Sequence, residues 1–294
     1  MMASIYRHEF IKAFRSRWFV VAILIALALS VAAAVEPYLA LKREETTMLS
    51  FGYGIGIDAH NYLGQTREGS FGNWVVVSAN APLFASLLLY ALPLLSVMPY
   101  AWSYRTEDIS GYAAQLCTRL ERKKYIRAKY AATFATGSAV TVSALVVNFL
   151  AVSCLFPAYW PRIEEANYVG LFDGYIFSGL FYSQPYLYVI AYTLLDMLLM
   201  GVWAVVVSGL SLWIKDRVKL IALPYVMLFA WHYINGRVFD ALQVQGFNIN
   251  LLNSMRAESL LARPDIVATA IELLALFSLS IILHRRLAKR DVVS

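Results

Sequence analysis

Six stretches of this chain are apolar over lengths near or above the roughly 20 residues that a helix needs to cross about 30 Å of hydrocarbon. They fall at 18–35, 81–104, 128–156, 185–214, 218–235 and 264–284. The chain has 294 residues, is 60% hydrophobic and only 15% charged, and has a mean hydropathy of +0.59. A single soluble core cannot enclose that much apolar surface. The pattern predicts an all-α integral membrane protein with six transmembrane helices, because hydrocarbon offers the backbone no partners and helices supply their own. Pro93 and Pro99 in the second stretch and Pro224 in the fifth fit this reading, since neighbouring groups in a bundle re-satisfy the carbonyls they free.

Charge sets the orientation. Of 25 Lys and Arg residues, 18 fall on one set of alternate flanks: the N-terminus, the loop 105–127 with Lys129, the turn carrying Lys215, Arg217 and Lys219, and the tail 285–294. The other 7 are interspersed with acidic residues. Basic residues concentrate on the inner side of a membrane, so both termini are predicted to be cytoplasmic. The net charge of +6 is therefore a topology signal. It argues against a nucleic-acid partner, because no soluble basic, aromatic-studded domain accompanies it. Residues 1–17 read as an interfacial amphipathic helix on membrane lipid, with Tyr6, Phe10, Ala13 and Phe14 on one stripe and Arg7, Lys12 and Arg15 elsewhere. Residues 1–35 share the layout of a secretory signal, and the expectation is that they are retained as an anchor. Residues 18–284 form the transmembrane domain and 285–294 a basic cytoplasmic tail.

The loop 105–127 carries the most local information. Read as a helix, Ile109, Tyr112, Ala113, Leu116 and Leu120 recur at steps of three and four, with Ser110, Thr118, Arg119 and Arg122 on other sides. Thr106 is placed to cap its start. Glu107 and Asp108 suit the positive end of the helix dipole, and Arg119, Arg122, Lys123 and Lys124 the negative end.

Enzymatic signatures are missing. The sequence has no His-Glu-x-x-His helix, no Gly-x-Ser-x-Gly elbow and no phosphate-binding Gly-x-x-x-x-Gly-Lys-Ser/Thr loop. Its four histidines, His8, His60, His232 and His284, do not cluster, and Gly52, Gly54 and Gly56 read as a flexible turn. Cys117 and Cys154 fall on opposite sides of the predicted membrane, so neither a disulfide nor a metal site is expected.

These loop features resemble the ABC-2 type permeases, the six-helix membrane subunits of bacterial ABC exporters. The resemblance lies in the N-terminal amphipathic helix and in the loop sequence: Glu107 and Asp108, Gly111, the stretch from Leu116 to Leu120, the basic run from Arg122 to Lys124, and Ala128 with Lys129. The junction SGLSLWIKDRVKLIALPY between the fourth and fifth stretches is similar too. The resemblance implies an ABC-2 (type V exporter-like) fold in the bacterial inner membrane, present as two copies or beside a similar permease. It implies that the chain is not itself an enzyme and binds no cofactor, ATP and Mg being held by a separate ATP-binding subunit. Residues around 107–122 would then form the coupling helix seated in that subunit, using Glu107, Asp108, Gly111, Tyr112, Leu116, Arg119, Leu120 and Arg122. Lys215, Asp216 and Arg217 would make a smaller second contact. The expected cargo is an amphipathic compound such as a peptide, an antibiotic or a lipid-like molecule.

Three polar residues lie inside the predicted spans. Asp196 is 11 residues into the fourth and Glu272 is 8 into the sixth, counted from the outer side, which puts them at similar depth. They and Asn148 in the third span are candidates for a translocation path or for polar contacts between helices. A rival function rests on the two carboxylates: an ATPase-independent ion channel or secondary transporter that uses them as ion ligands or proton carriers. Aromatic residues crowd 159–188, among them Trp160, Phe172, Tyr175, Phe177, Phe181, Tyr182 and Tyr186, as in an interfacial belt.

Overall fold

The computed structural model describes residues 2–50, 69–78, 82–118, 120–242, 249–257 and 265–289, and every regular element among them is helical. The glycine run at 52–56, Arg119 and the end of the basic tail at 290–294 lie outside the described residues. In chain order the helices are α1 (Met2–Phe14), α2 (Arg17–Ser50), α3 (Ser70–Asn73), α4 (Leu83–Val97), α5 (Ser103–Ile109), α6 (Tyr112–Cys117), α7 (Arg122–Leu155), α8 (Ala166–Val169), α9 (Ser178–Ser183), α10 (Pro185–Gly209), α11 (Arg217–Leu242), α12 (Leu251–Ser254) and α13 (Ile266–Lys289).

Four helical segments are long and apolar enough to cross a membrane: Arg17–Arg43, Arg122–Leu155, Pro185–Leu212 and Ile266–Lys289. They correspond to the first, third, fourth and sixth predicted stretches. The second stretch is different. Its helix, α4, has 15 residues and stops at Val97, and the chain turns through Pro99 before α5 begins. At 1.5 Å per residue α4 spans about 22 Å, short of the hydrocarbon thickness. The fifth stretch lies within the 26 residues of α11, whose apolar run is diluted by Pro224, His232, Asn235, Gly236 and Arg237. The first and third helices are longer than expected, at 34 residues each. Glu36 and Pro37 do not end α2. Instead the Glu36 carboxylate accepts hydrogen bonds from the Leu83 and Phe84 backbone amides at 3.1 and 2.8 Å, satisfying donors that the start of α4 would otherwise leave bare.

The predicted single helix over 107–122 is two short helices. Gly111 breaks it, at φ 74, a left-handed conformation that side chains with a Cβ resist. Thr106 does not cap a helix start: its hydroxyl donates to the Trp102 carbonyl at 3.3 Å.

α7 is the central helix, packed against α1, α2, α4 and α10. It runs parallel to α2, since Ser30 meets Ala144 while Ala34 and Tyr38 meet Val152 and Phe156 farther along. Asn148 fixes this pair: its amide donates to the Ser30 carbonyl at 2.9 Å, and its oxygen accepts from the Val75 amide at 3.0 Å. α10 runs the other way, and here small residues let the backbones close up. A Cβ on Gly137 would meet Ala204 Cβ and the Ser96 carbonyl at 3.0 Å, and one on Gly201 would strike Ser138 Oγ and Phe134 Cε2, the latter at 2.6 Å. The first residues of the chain and the last turn of α13 converge on one end of the bundle, where Leu287 packs with Tyr104 and Tyr125 beside α1. This basic end gathers the flanks that hold most of the Lys and Arg residues.

At the opposite end, α3 with the turn that follows it and α12 are buried despite their shortness. Phe71, Trp74, Val75, Val76 and Val77 on one side, and Leu251, Leu252 and Met255 on the other, belong to the main core, and the Ala257 amide donates to the Val76 carbonyl at 2.9 Å. Part of the predicted aromatic belt lies in that core. Phe181 is buried against Tyr188, with ring centroids 5.1 Å apart, and Tyr175, Phe177 and Tyr182 pack on the same cluster. Trp160, Phe172 and Tyr186 remain exposed.

Close packing at α7 and α10 gives a paired expectation. Gly201→Ala should lower the thermal unfolding temperature in detergent by an overpacking cost of about 1–3 kcal/mol. Gly236→Ala, where nothing lies within 4 Å, should leave the temperature unchanged or raise it slightly through helix propensity. Equal tolerance of both would contradict the packing described here.

Candidate functional site

At the basic end, α1, the α4–α5 junction and α7 meet around one ammonium group. Lys129 lies seven residues into α7 and is 1% exposed. A charge held out of water needs partners, and Lys129 has four. Its Nζ lies 2.9 Å from the Glu9 carboxylate on α1 and 2.5 Å from Glu107 on α5, and it donates to Ser103 Oγ at 2.8 Å and Tyr100 Oη at 3.1 Å. Tyr100 in turn donates to Glu9 at 2.5 Å. Glu107 also accepts from Tyr125 on α7 and from Lys12 on α1. The ammonium stacks over Tyr100 at 4.8 Å and Tyr125 at 5.6 Å, which adds the attraction of two ring faces. Two cations thus face two carboxylates, with Lys12 at the solvent-accessible rim and the other three side chains buried.

The charges decide the state of Glu107. Burial alone pushes its carboxyl up, but the Lys129 charge and the hydrogen bonds from Lys12, Lys129 and Tyr125 outweigh that and hold it below its ordinary value of 4.5. Glu107 is therefore an ionised strut between α1 and α7 rather than a surface acid.

The residues expected to meet a partner subunit now divide. Glu107 is interior, as is the apolar side that Leu116 presents, which packs with Tyr104, Ala113, Tyr125, Ile126 and Leu287 of the same chain. Leu120 is half-buried and Arg119 lies outside the described residues. Arg122 donates to the Tyr104 hydroxyl at 3.0 Å. Asp108 pairs with Arg105 at 2.6 Å. Left outward are Ile109, 62% exposed, and Tyr112, 37% exposed, on either side of the Gly111 break, with Lys12 over the Tyr112 ring at 5.4 Å. The second predicted contact lies next to this one. Arg105 Nε donates to the Lys215 carbonyl at 3.2 Å, and Arg217 stacks on Trp102 at 5.4 Å. Asp216 is used locally, accepting from the Val218 amide at 2.8 Å at the start of α11.

The three intramembrane candidates sit in different surroundings. Asn148 uses both ends of its amide to tie α2, α7 and the turn after α3 together. Glu272 on α13 accepts from Ser254 Oγ at 2.8 Å, which fastens α12 to α13. Asp196 on α10 is fully buried, and neither of its oxygens has a hydrogen-bond partner among the described residues. It is therefore not bonded to Glu272, although α10 and α13 pack together.

Glu9, Tyr100, Ser103, Tyr125 and the interior position of Lys129 were not anticipated. One signal for Glu9 existed: it falls on the stripe of Tyr6 and Ala13 at steps of three and four, so the apolar face of α1 carries a carboxylate that needs a cation. Nothing in the local sequence distinguishes Lys129 from the surface basic residues around it.

Removing one partner from such a cluster leaves an uncompensated buried charge. Lys129→Met should destabilise the folded protein in detergent by about 3–5 kcal/mol, and adding Glu107→Gln should recover part of the loss. A simple additive loss in the double variant would contradict a shared cluster. The pH dependence has a definite sign. Because folding lowers the Glu107 value from 4.5, its contribution is present above that pH and disappears as the pH falls through the lowered value. Glu107→Gln should flatten the acid limb of the stability profile, and an unchanged acid limb would contradict the assignment.

Compared with protein-family models, curated proteins and solved structures, the chain has no significant match.

Proposed function

We propose that the chain is the membrane-spanning permease subunit of an ATP-driven ABC exporter of the ABC-2 type. In this reading α4 and α11 complete six spans with the four long helices, both termini are cytoplasmic, and the protein resides in a bacterial inner membrane. A separate ATP-binding subunit holds ATP and Mg, a second copy or a similar permease completes the transporter, and the cargo is an amphipathic peptide, antibiotic or lipid-like compound. The orientation is supported by the Lys and Arg excess on the end of the bundle that carries both α1 and the last turn of α13.

The observation that carries the reading is the way α5 and α6 are held. Ile109 and Tyr112 face outward at the Gly111 break, while Glu107, two residues before Ile109, is bonded to α1 through Lys12 and to α7 through Lys129 and Tyr125. A displacement imposed on the exposed pair would be carried by ionic and hydrogen-bonded contacts into α7, the most connected helix of the bundle. Arg105 and Lys215 bring the turn before α11 into the same unit, so a single docking partner could act on both.

The rival transporter or channel reading is favoured by Asp196, a buried carboxyl with no hydrogen-bond partner among the described residues, of the kind that proton and ion paths use. The two readings separate on one experiment. Ile109→Asp with Tyr112→Asp should abolish co-purification with the proposed ATP-binding subunit and the transport it drives, while membrane insertion and yield stay normal. Intact assembly and intact transport in that variant would overturn the coupling role. Transport by the chain alone would favour the rival.

A further inference from the structure

Tyr188, Tyr192 and Asp196 recur at steps of four along one face of α10, and all three are 0% exposed. The two tyrosine rings pack on each other with centroids 5.6 Å apart, and Trp74 stands edge-on to both at 6.3 and 6.4 Å. Farther along α10, Leu199, Met200 and Trp203 belong to the main apolar core. Tyr192 donates to the Ser254 carbonyl at 3.3 Å. The Tyr188 hydroxyl and both Asp196 oxygens are buried and have no hydrogen-bond partner among the described residues.

No cation answers this carboxyl: among the described residues Asp196 forms no ion pair. Ser138 Oγ donates to the Met197 carbonyl at 3.1 Å, so Asp196 stands level with a point on α7 nine residues, about 14 Å, past Lys129. α4 and the rest of α7 beyond Lys129 carry no charged residue. Arg217 and Arg237, near opposite ends of α11, lie over Trp102 and Tyr233, and Arg256 lies over Tyr90. The cations of α13 begin only at His284, and Glu272, reached through Ser254, is itself an acid. Ionising a carboxyl held out of water with neither donors nor a cation costs so much that the group takes a proton instead. A metal ion fits poorly, because hard cations take about six or more oxygen ligands and this face offers one carboxyl and two phenols. Among the described residues no group of three or more His, Cys, Asp and Glu gathers that could hold one. We propose that Asp196 binds one proton in this conformation, taken from solvent as the bundle closes around it and returned when water reaches this face of α10. The site couples conformation to pH whether the chain is the exporter or its rival.

The test compares the unfolding equilibria of the purified full chain and its Asp196→Asn variant in one detergent, from about pH 5 to about pH 8. The amide is an uncharged isostere of the acid and binds no proton. Because the folded wild type holds one proton that its unfolded chain releases, its unfolding constant relative to the variant should rise about tenfold for each unit of increasing pH. A ratio that stays constant over this range overturns the proposal. Replacing choline by sodium at fixed ionic strength should leave wild type unchanged. Stabilisation by sodium that is lost in Asp196→Asn assigns the site to a metal ion and overturns it as a proton site. A second measurement needs no variant: infrared spectroscopy of wild type carrying aspartate isotopically labelled at the side-chain carboxyl carbon. A carboxylic-acid C=O stretch that moves with the label should be present at neutral pH. Its absence overturns the proposal even where Asp196→Asn does not fold.

Discussion

An ammonium group that is 1% exposed cannot remain charged without partners, and the partners of Lys129 come from three separate parts of the chain. Glu9 fixes where α1 lies, Glu107 fixes where the segment after α4 lies, and Tyr100 at the α4–α5 junction bridges the two. The apolar packing beside it is limited to two small clusters, one around Tyr125 and one in which Phe10 and Ala13 of α1 meet Tyr100 and Ala132, and most of the surrounding charges face outward. Buried ion clusters contribute little net stability relative to apolar packing, so their better attested effect is to specify one arrangement among many. Here that arrangement joins an outward-facing pair, Ile109 and Tyr112, to the central helix α7.

The same logic operates along the rest of α7, with neutral groups in place of charges. Ser30 and Asn148 set the register of α2 against α7, and Glu36 closes the start of α4. On the other face Gly137 and Gly201 bring α10 close enough that backbone and small side chains make the contact. In an apolar solvent there is no hydrophobic force between helices, so polar ties and tight small-residue contacts carry the specificity. The buried α3 and α12 follow from this as well. Non-helical backbone near them is tolerable because Asn148, Glu272, Asn235 and Trp231 supply hydrogen bonds to it and to the adjoining side chains.

The helical class and the long apolar helices were legible because hydropathy over 20 residues is a strong signal that packing does not erase. What the sequence hid were events that depend on residues far apart. The apolar run 81–104 continues across Val97, and Pro99, the one local mark of the turn that ends α4, reads equally as a proline tolerated within a span; the turn is held by Tyr100 bonding to Glu9 on α1, Ser103 to Lys129 on α7, and Trp102 back to the Met98 carbonyl. The stripe over 107–122 reads as one helix because its periodicity is unbroken, yet Gly111 takes a left-handed conformation so that Glu107 and Leu116 both point inward. Glu107 itself was visible as a candidate but assigned outward, since its partner Lys129 is 22 residues away and looks like one more basic flank residue. Asp196 and Glu272 were visible as carboxyls at similar predicted depth, but depth says nothing of their surroundings: Glu272 is bonded to Ser254, and Asp196 has no partner among the described residues.

Whether the charge cluster joins these elements into one unit can be measured by amide hydrogen exchange on the purified protein and its Lys129→Met variant. If Lys129 is the common anchor, the variant should lose protection together in α1, in α5 and α6, and in the first turns of α7, while α10 and α13 keep theirs. Loss confined to the neighbourhood of residue 129, with α1 and the segment 103–117 exchanging as in wild type, would contradict the account.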